Sequence, residues 1–278
     1  MNMYKPESKL KLKLKNKINN KNKNSSSLKF KFFKATASFN FNLKQFITSN
    51  SHLGYEVKRW NPEMRSYIVG VRSGMHILDL QITLLNFKRL IYFISSLIKF
   101  RKHLLFASEN KQIDHILKQV VIFSNQFISA YRWIGGIISN FKFLYSIING
   151  LTSSSLNLEF IPNRRKKLRL SLEGLRGLNR LPSLLIVMNS VKSKWAMNEC
   201  NAATIPIAAI VDSTSNIGVT NGSPNYIIPG NVHGFASQIF YIKVIQTSIY
   251  LNKFRERALF FKSKSTFKSK FRFKSRLN

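Results

Sequence analysis

From residue 45 to residue 250 the chain alternates between short runs that are apolar at every position and longer stretches whose apolar residues recur at helical spacing. Leu80, Leu84, Phe87, Ile91, Ile94 and Ile98 follow one another at intervals of four and three, the stripe of an amphipathic helix that Asp79 opens. Leu104–Ala107 then reads as a short strand, Lys111–Phe123 as the next helix and Gln126–Ser129 as a second short strand. Further on, Leu184–Met188 is an apolar run of strand length, Lys192–Ala203 is helical and Ile205–Val211 is another buried strand. Tyr226–Ile228 ends at Pro229-Gly230, and Phe235–Leu251 closes the pattern with a helix. Strands apolar on both sides and separated by helices predict a parallel sheet covered on both faces. The predicted architecture is a three-layer, doubly wound α/β domain.

Residues 142 to 181 break this rhythm. Phe143–Ile148 continues a helix, Gly150–Ser155 is a flexible stretch, Pro162 stops any helix, and Arg164-Arg165-Lys166-Lys167-Leu168-Arg169-Leu170 is a basic amphipathic piece ending near Gly174 and Gly177. An inserted helical hairpin projecting from the sheet is expected there. Its arginines suit phosphate contact, the alternative being a solvated basic loop. Outside the core the texture changes twice. Lys9–Lys15 alternates Lys with Leu and runs into Asn/Lys/Ser low complexity through Ser27, which fits a basic arm that orders on a polyanion better than a strand with so thin an apolar face. The other end repeats with a period of six: Phe261-Lys262-Ser263-Lys264, Phe267-Lys268-Ser269-Lys270, Phe273-Lys274-Ser275-Arg276. These phenylalanines share one side only if the tail is extended, because six helical residues rotate the chain by about 600°. Cations interleaved with rings suit looped or single-stranded RNA, and the alternative is a solvated tail. The expected division is therefore a basic extension over 1–44, an α/β core over 45–252 and a basic tail over 253–278.

Charge adds a partner to this picture. Lysine and arginine number 45 against 11 acidic residues, a formal net charge of +34 over 278 residues. Such self-repulsion calls for a polyanionic neighbour, nucleic acid or an anionic membrane surface, and argues against a free soluble metabolic enzyme. The excess is uneven: residues 1–50 carry +11, 161–180 carry +6 and 251–278 carry +9, which leaves +8 on the remaining 180. The most apolar stretch, Leu90–Phe100, is eleven residues long between two basic pairs. It falls short of the ~20 residues needed to cross a bilayer, so no membrane span is expected. The N-terminus has neither the apolar run of a secretory signal nor the Arg-rich, Lys-poor character of an import presequence. Lys, Ile, Asn and Phe together make up 109 residues, and these are the amino acids with the most AT-rich codons. An AT-rich organellar or nuclear gene fits that bias.

Candidate chemistry is thin. The single cysteine, Cys200, excludes an intramolecular disulfide or a cysteine-based metal cluster, and its helical context suits a small buried residue. No phosphate-cradling G-x-G-x-x-G or G-x-x-x-x-G-K-[ST] run occurs, and Gly135-Gly136 lacks a third glycine at the required place. His52, His76, His103, His115 and His233 show no metal-ligand spacing. His76 and Asp79 suit a structural or capping role, and Asp212-Ser213-Thr214 at a strand end amounts alone to a loop or cap. Neither catalytic residues nor a metal or other cofactor is predicted. What stands out is arginine beside tryptophan, twice: Lys58-Arg59-Trp60-Asn61-Pro62 and Tyr131-Arg132-Trp133-Ile134-Gly135-Gly136. Such a pair can hold a phosphate and stack a base, or the Trp can anchor its loop in the core, the reading preferred for Trp133.

These segments resemble a known family, the bacterial and organellar small-subunit ribosomal protein S2. Its His-x-Gly-His and Arg-Trp-Asn-Pro-x-Met patterns are similar to His52-Leu53-Gly54 and Arg59-Trp60-Asn61-Pro62-Glu63-Met64. The segment that follows matches at Tyr67-Ile68, Gly70, Arg72, Gly74, His76-Ile77 and Asp79-Leu80, and a Trp-Gly-Gly signature at Arg132-Trp133-Ile134-Gly135-Gly136 with Ser139-Asn140-Phe141. Ile205-Pro206, Ile210-Val211-Asp212 and Ile228-Pro229-Gly230-Asn231 resemble its last strand ends. Departures are Tyr55 for the second histidine, Ser183 for an aspartate, Val232-His233 for an acidic pair, and a shortened hairpin. The resemblance implies a flavodoxin-like sheet with a protruding hairpin, and a non-enzymatic subunit binding ribosomal RNA and neighbouring ribosomal proteins, not a homo-oligomer. It implies RNA contact by Lys58, Arg59, Trp60, Arg65, Arg72, Arg132, Arg164, Arg165, Lys166, Lys167 and Arg169. His52, Gly54, Asn61, Pro62, Trp133, Gly135, Gly136, Asp212, Pro229, Gly230 and Asn231 would shape the fold. Divergence, AT bias and basic extensions together point to a mitochondrial ribosome more than a plastid one. The other readings are a nucleotide-handling α/β enzyme, motivated by sheet topology alone, and a free RNA-binding chaperone.

Overall fold

The computed structural model describes residues 42–153, 171–218 and 223–274. The N-terminal arm to residue 41 and the basic cluster Arg164–Arg169 lie outside the described residues. In chain order the elements are α1 (Leu43–Thr48), β1 (Leu53–Glu56), β2 (Ile68–Arg72), β3 (Met75–Leu78), α2 (Leu80–Lys99), β4 (Leu104–Ala107), α3 (Lys111–Ser124), β5 (Phe127–Ser129) and α4 (Phe141–Ser153). They continue with β6 (Leu184–Val187), α5 (Lys194–Ala202), β7 (Ile207–Val211), β8 (Tyr226–Pro229) and α6 (Phe235–Lys274). Short 3-10 turns occupy Val57–Arg59, Pro62–Tyr67 and Glu173–Leu175.

The short apolar runs become strands because runs this brief, apolar at every position, bury completely only inside a sheet covered on both faces. Every residue of β4, β5, β6 and β7 is buried. The five strands lie parallel in the order β5-β4-β6-β7-β8, so the direction of winding reverses between β4 and β6. This is the flavodoxin-like doubly wound order. Successive side chains alternate across the sheet. Leu105, Ala107, Phe127, Leu185, Val187, Ile207, Ala209 and Val211 pack with Leu144 and Ile148 of α4 and Ala196, Met197 and Cys200 of α5. Burial there pushes the Cys200 thiol up to about 12. The opposite face carries α2, α3 and α6, with α6 lying against both of the others.

Helix α2 shows how sequence dictates one of these layers. Asp79 Oδ1 accepts the N–H groups of Gln81 at 2.7 Å and Ile82 at 3.4 Å, which caps the helix. From there Phe87, Ile91, Ile94 and Ile98 are buried, while Leu80 and Leu84 are partly so. Two side chains of the same helix reach the outer edge of β8: Thr83 Oγ1 donates to the Pro229 carbonyl and Asn86 Nδ2 to that of Ile227, each at 2.8 Å. At the other edge the Gly174 backbone sits so close to the Ile128 carbonyl that a β-carbon would collide with it.

Three features differ from the sequence reading. First, β1, β2 and β3 form a separate antiparallel sheet in the order β1-β3-β2, which the apolar pattern does not show because its strands are half exposed and interrupted by glycine. Its hairpin turns at Ser73-Gly74, both left-handed with φ of 51° and 75°, the geometry of a two-residue turn. Second, the last helix does not end at Leu251 but runs through Lys274. Neither glycine nor proline occurs after Gly234, so nothing in the sequence stops it, and the Phe/Lys/Ser repeat is helical rather than extended as far as Lys274. Third, of the expected hairpin the described secondary structure comprises α4, helical residues at Ser171 and Leu172, and the turn at Glu173–Leu175. Small boundary shifts have local causes: the strand expected from Gln126 begins at Phe127, and the Gln126 side chain instead accepts the Leu104 N–H at 2.7 Å.

Candidate nucleic-acid interface

The first Arg-Trp segment follows β1 and is fastened to the loop after β7. Ser213 does most of this: its Oγ accepts the Tyr55 N–H at 2.8 Å and its carbonyl accepts the Asn61 N–H at 2.8 Å. Glu63 Oε2 accepts the Ile217 N–H at 2.8 Å. Asn61 caps the next turn through the Glu63 N–H, with Pro62 at its first position. Gly54 lies against Ser213 and His76, and the His52 carbonyl accepts the Leu78 N–H at 2.8 Å. So tethered, the segment leaves Lys58, Arg59 and Arg65 exposed, and Arg72 is exposed beside the hairpin turn. The Arg59 guanidinium lies 5.8 Å from the Tyr55 ring centroid. Trp60 is 38% exposed and leans on the buried His76 ring with centroids 5.5 Å apart.

Behind this loop Asp212 is buried at the end of β7. Its Oδ1 accepts the Ser213 N–H at 2.7 Å and its Oδ2 stands 3.6 Å from His233 Nε2. Burial raises its pKa, against the opposing pull of the Ser213 N–H and His233. Asn231, after Pro229 and Gly230, accepts the His233 and Gly234 N–H groups and turns the chain into α6. Gly230 lies directly against the buried Tyr241 hydroxyl. These residues shape a corner of the fold.

The second Arg-Trp segment follows β5 and is held by two carboxylates that sequence reading passed over. Tyr131 adopts φ of 66°, a strained value for an aromatic residue, and its N–H donates to the buried Asp114 Oδ2 at 2.8 Å. The Lys118 ammonium sits 4.7 Å from the Tyr131 ring centroid. The kink leaves Arg132 exposed while Trp133 is buried. Glu199 of α5 then gathers the rest. Its Oε1 accepts from Trp133 Nε1 at 3.1 Å and the Gly136 N–H at 2.9 Å, and its Oε2 accepts from the N–H of Ile138 at 3.1 Å and, more weakly, of Ser139 at 3.4 Å. Gly136 has φ of 94°, which an L side chain resists, and Gly135 passes alongside the carboxylate. The Trp-Gly-Gly run is thus a carboxylate cradle. Nothing local in the sequence marks its acid, which lies more than sixty residues downstream.

At the carboxyl ends of β4 and β6, where a doubly wound sheet would seat a ligand, side-chain hydrogen bonds tie the loops to one another. Ser190 and Ser215 hydroxyls are 2.8 Å apart, Asn189 Oδ1 accepts the Val191 and Lys192 N–H groups, and Asn110 Nδ2 donates to Gln238 Oε1 at 3.0 Å. Two cavities, of about 480 and 520 Å³, lie elsewhere, one at the amino end of β8 beside Asn86 and Arg89 and one at the edge of β5 beside Ile128 and Gly174. Among the described residues no group of three or more His, Cys, Asp or Glu is placed to hold a metal ion. What the surface offers is exposed cations on two braced loops, which can meet phosphate oxygens without rearranging.

The chain matches the family described as Ribosomal protein S2 over residues 46–251. It is 30% identical over 222 residues to the small ribosomal subunit protein uS2 of Chlamydia trachomatis, covering 74% of this chain and 76% of the relative. It is 32% identical over 203 residues to that of Petrotoga mobilis, covering 68% and 69%, and 32% identical over 204 residues to that of Rickettsia felis, covering 68% of each. The matched span takes in both Arg-Trp loops, the carboxylates that brace them and the whole parallel sheet. The chain belongs to the ribosomal protein S2 family.

Proposed function

We propose that this protein is a structural constituent of the small subunit of a mitochondrial ribosome. It binds ribosomal RNA and neighbouring ribosomal proteins as a single copy, not as a homo-oligomer. Its relatives are structural proteins of the ribosome, and the chain is not an enzyme. The observation that carries the RNA-binding reading is the pair of braced loops: Lys58, Arg59 and Arg65 on one, Arg132 on the other, exposed on backbones that Ser213, Glu63, Asp114 and Glu199 hold in place. Arg72 on the hairpin and the cluster Arg164, Arg165, Lys166, Lys167 and Arg169 extend the basic surface. The basic extensions of 1–44 and 253–278 supply reach and affinity but little sequence discrimination. The AT-leaning composition and the charge of +34 favour the mitochondrial setting over a plastid one. Among the described residues no helix is long and apolar enough to cross a membrane, and partners are sought on the ribosome.

Sedimentation tests the proposal. In a sucrose gradient of mitochondrial lysate the chain should travel with small-subunit ribosomal RNA and leave that position when the subunit is dissociated. A chain that stays at the top of the gradient overturns the ribosomal role, and one that sediments with subunits from another compartment overturns the mitochondrial assignment alone.

A further inference from the structure

Of the three tryptophans, Trp133 is 6% exposed and Trp60 38%, but Trp195 is 75% exposed. An indole left in water forfeits one of the largest apolar burials a side chain can make, so its position needs a reason. Trp195 lies in the first turn of α5, whose other face (Ala196, Met197, Cys200) is fully used in the core. Its exposed chain neighbours are Val191, Lys192 and Lys194. One helical turn on, Glu199 grips the loop that presents Arg132, so the indole stands on the helix face along which that loop runs. Glu109 follows β4, Arg132 follows the neighbouring β5 and Lys192 follows β6 on the other side, so all three stand at the carboxyl ends of adjacent parallel strands, and both cations act on the half-buried Glu109 carboxyl. None of Arg132, Lys192 and Lys194 closes a salt bridge with a described carboxylate. The rim therefore combines three exposed cations with one bare aromatic face.

We propose that Trp195, flanked by Lys192, Lys194 and Arg132, is a stacking platform for an unpaired nucleotide of RNA, the indole taking the base and the cations the adjoining phosphates. The inference rests on the RNA-binding reading above and extends it to residues that neither Arg-Trp loop contains. Charge decides the occupant: an apolar protein anchor would be expected among further exposed apolar side chains, whereas here Val191 is accompanied by lysines and arginine. Because every base has a π-face, the platform discriminates unpaired from paired RNA rather than one base from another.

The full-length chain would be titrated at one fixed salt concentration with a single-stranded oligouridylate and with an RNA duplex of equal length. Trp195→Leu should weaken binding of the single strand by roughly 5- to 100-fold and leave duplex binding unchanged, whereas Trp195→Phe keeps most of the affinity. Tryptophan emission quenched by the single strand in the wild type should lose most of its amplitude in W195F. The platform is overturned if W195L binds the single strand as the wild type does, or if both RNAs weaken equally with circular dichroism unchanged. A crosslink from position 195 to a ribosomal protein in assembled subunits, with RNA affinity intact, would reassign it as a protein contact. Failure of the wild type to bind either RNA would overturn the RNA-binding proposal itself, a result separable from loss of the Trp195 effect alone.

Discussion

Acidic residues are scarce in this chain, and their placement explains much of its behaviour. Of the 11, Asp79, Asp114, Asp212, Glu63 and Glu199 each accept backbone N–H groups. They organise loops and caps, and Lys58, Arg59, Arg65 and Arg72 stand exposed beside the loops so held. Glu199 carries the most: Glu199→Ala leaves the Trp133 indole N–H and three main-chain N–H groups without their acceptor, and should lower the unfolding free energy by roughly 3 kcal/mol. Denaturant titration checks this, and Arg132→Ala, which removes an exposed side chain, should leave the midpoint within about 0.5 kcal/mol of the parent. Asp114 gives a pH signature. Burial raises its pKa above the unfolded value, outweighing the Ser108 and Tyr131 hydrogen bonds and Lys118. Its contribution is therefore fully present below the unfolded pKa and is lost as pH rises through the folded one. Asp114→Asn, which can still accept the Tyr131 N–H, should gain stability relative to wild type as pH rises through that window. Thermal melts at a series of pH values would show the two curves diverging, and parallel curves would refute it.

At the scale of elements, legibility followed periodicity. The strands β4, β6 and β7 and the helix α2 were readable because four or five uninterrupted apolar residues, or a stripe at intervals of four and three, leave few other solutions. The small sheet was not, since β2 reads Ile-Val-Gly-Val-Arg with Val69 and Val71 turned outward, and its register slips between Ile68 and Gly70. The two Arg-Trp segments could be found from residue type alone; what braces them could not, because Ser213 meets Tyr55 across 158 positions and Glu199 meets Gly136 across 63. The long last helix was legible only in the negative sense that no breaker interrupts it, while its lysine-rich repeat reads as a solvated tail. A cap is the element's most local determinant. Asp79→Ala removes the acceptor for Gln81 and Ile82 and should destabilise the domain by about 1 kcal/mol, seen as a lower denaturant midpoint with an unchanged slope. Phe87→Ala, at the fully buried centre of the same helix, should cost about 3–5 kcal/mol.

For the whole molecule the relevant quantity is how a charge of +34 is deployed. Most of it lies in the N-terminal arm, the 161–180 segment and the last 28 residues, so body and extensions should separate in their salt response. A chain ending at Glu256 loses eight Lys and Arg and no acid, and keeps the Lys253 ammonium that donates to the Ser124 carbonyl. Its melting temperature should stay close to that of the full chain. Its logarithmic salt slope for RNA binding, followed by fluorescence anisotropy, should be shallower by several units. An unchanged slope would mean that these cations touch no phosphate. The parallel sheet has a further consequence for a chain of this charge. With Thr83 and Asn86 hydrogen-bonded to the outer carbonyls of β8, and the Gly174 backbone pressed on that of β5, both margins of the sheet are occupied from within the same chain. A second copy seeking to pair along either margin would therefore have to displace a contact already made at Ile227, Pro229 or Ile128, which sets edge-to-edge association at a disadvantage at those points.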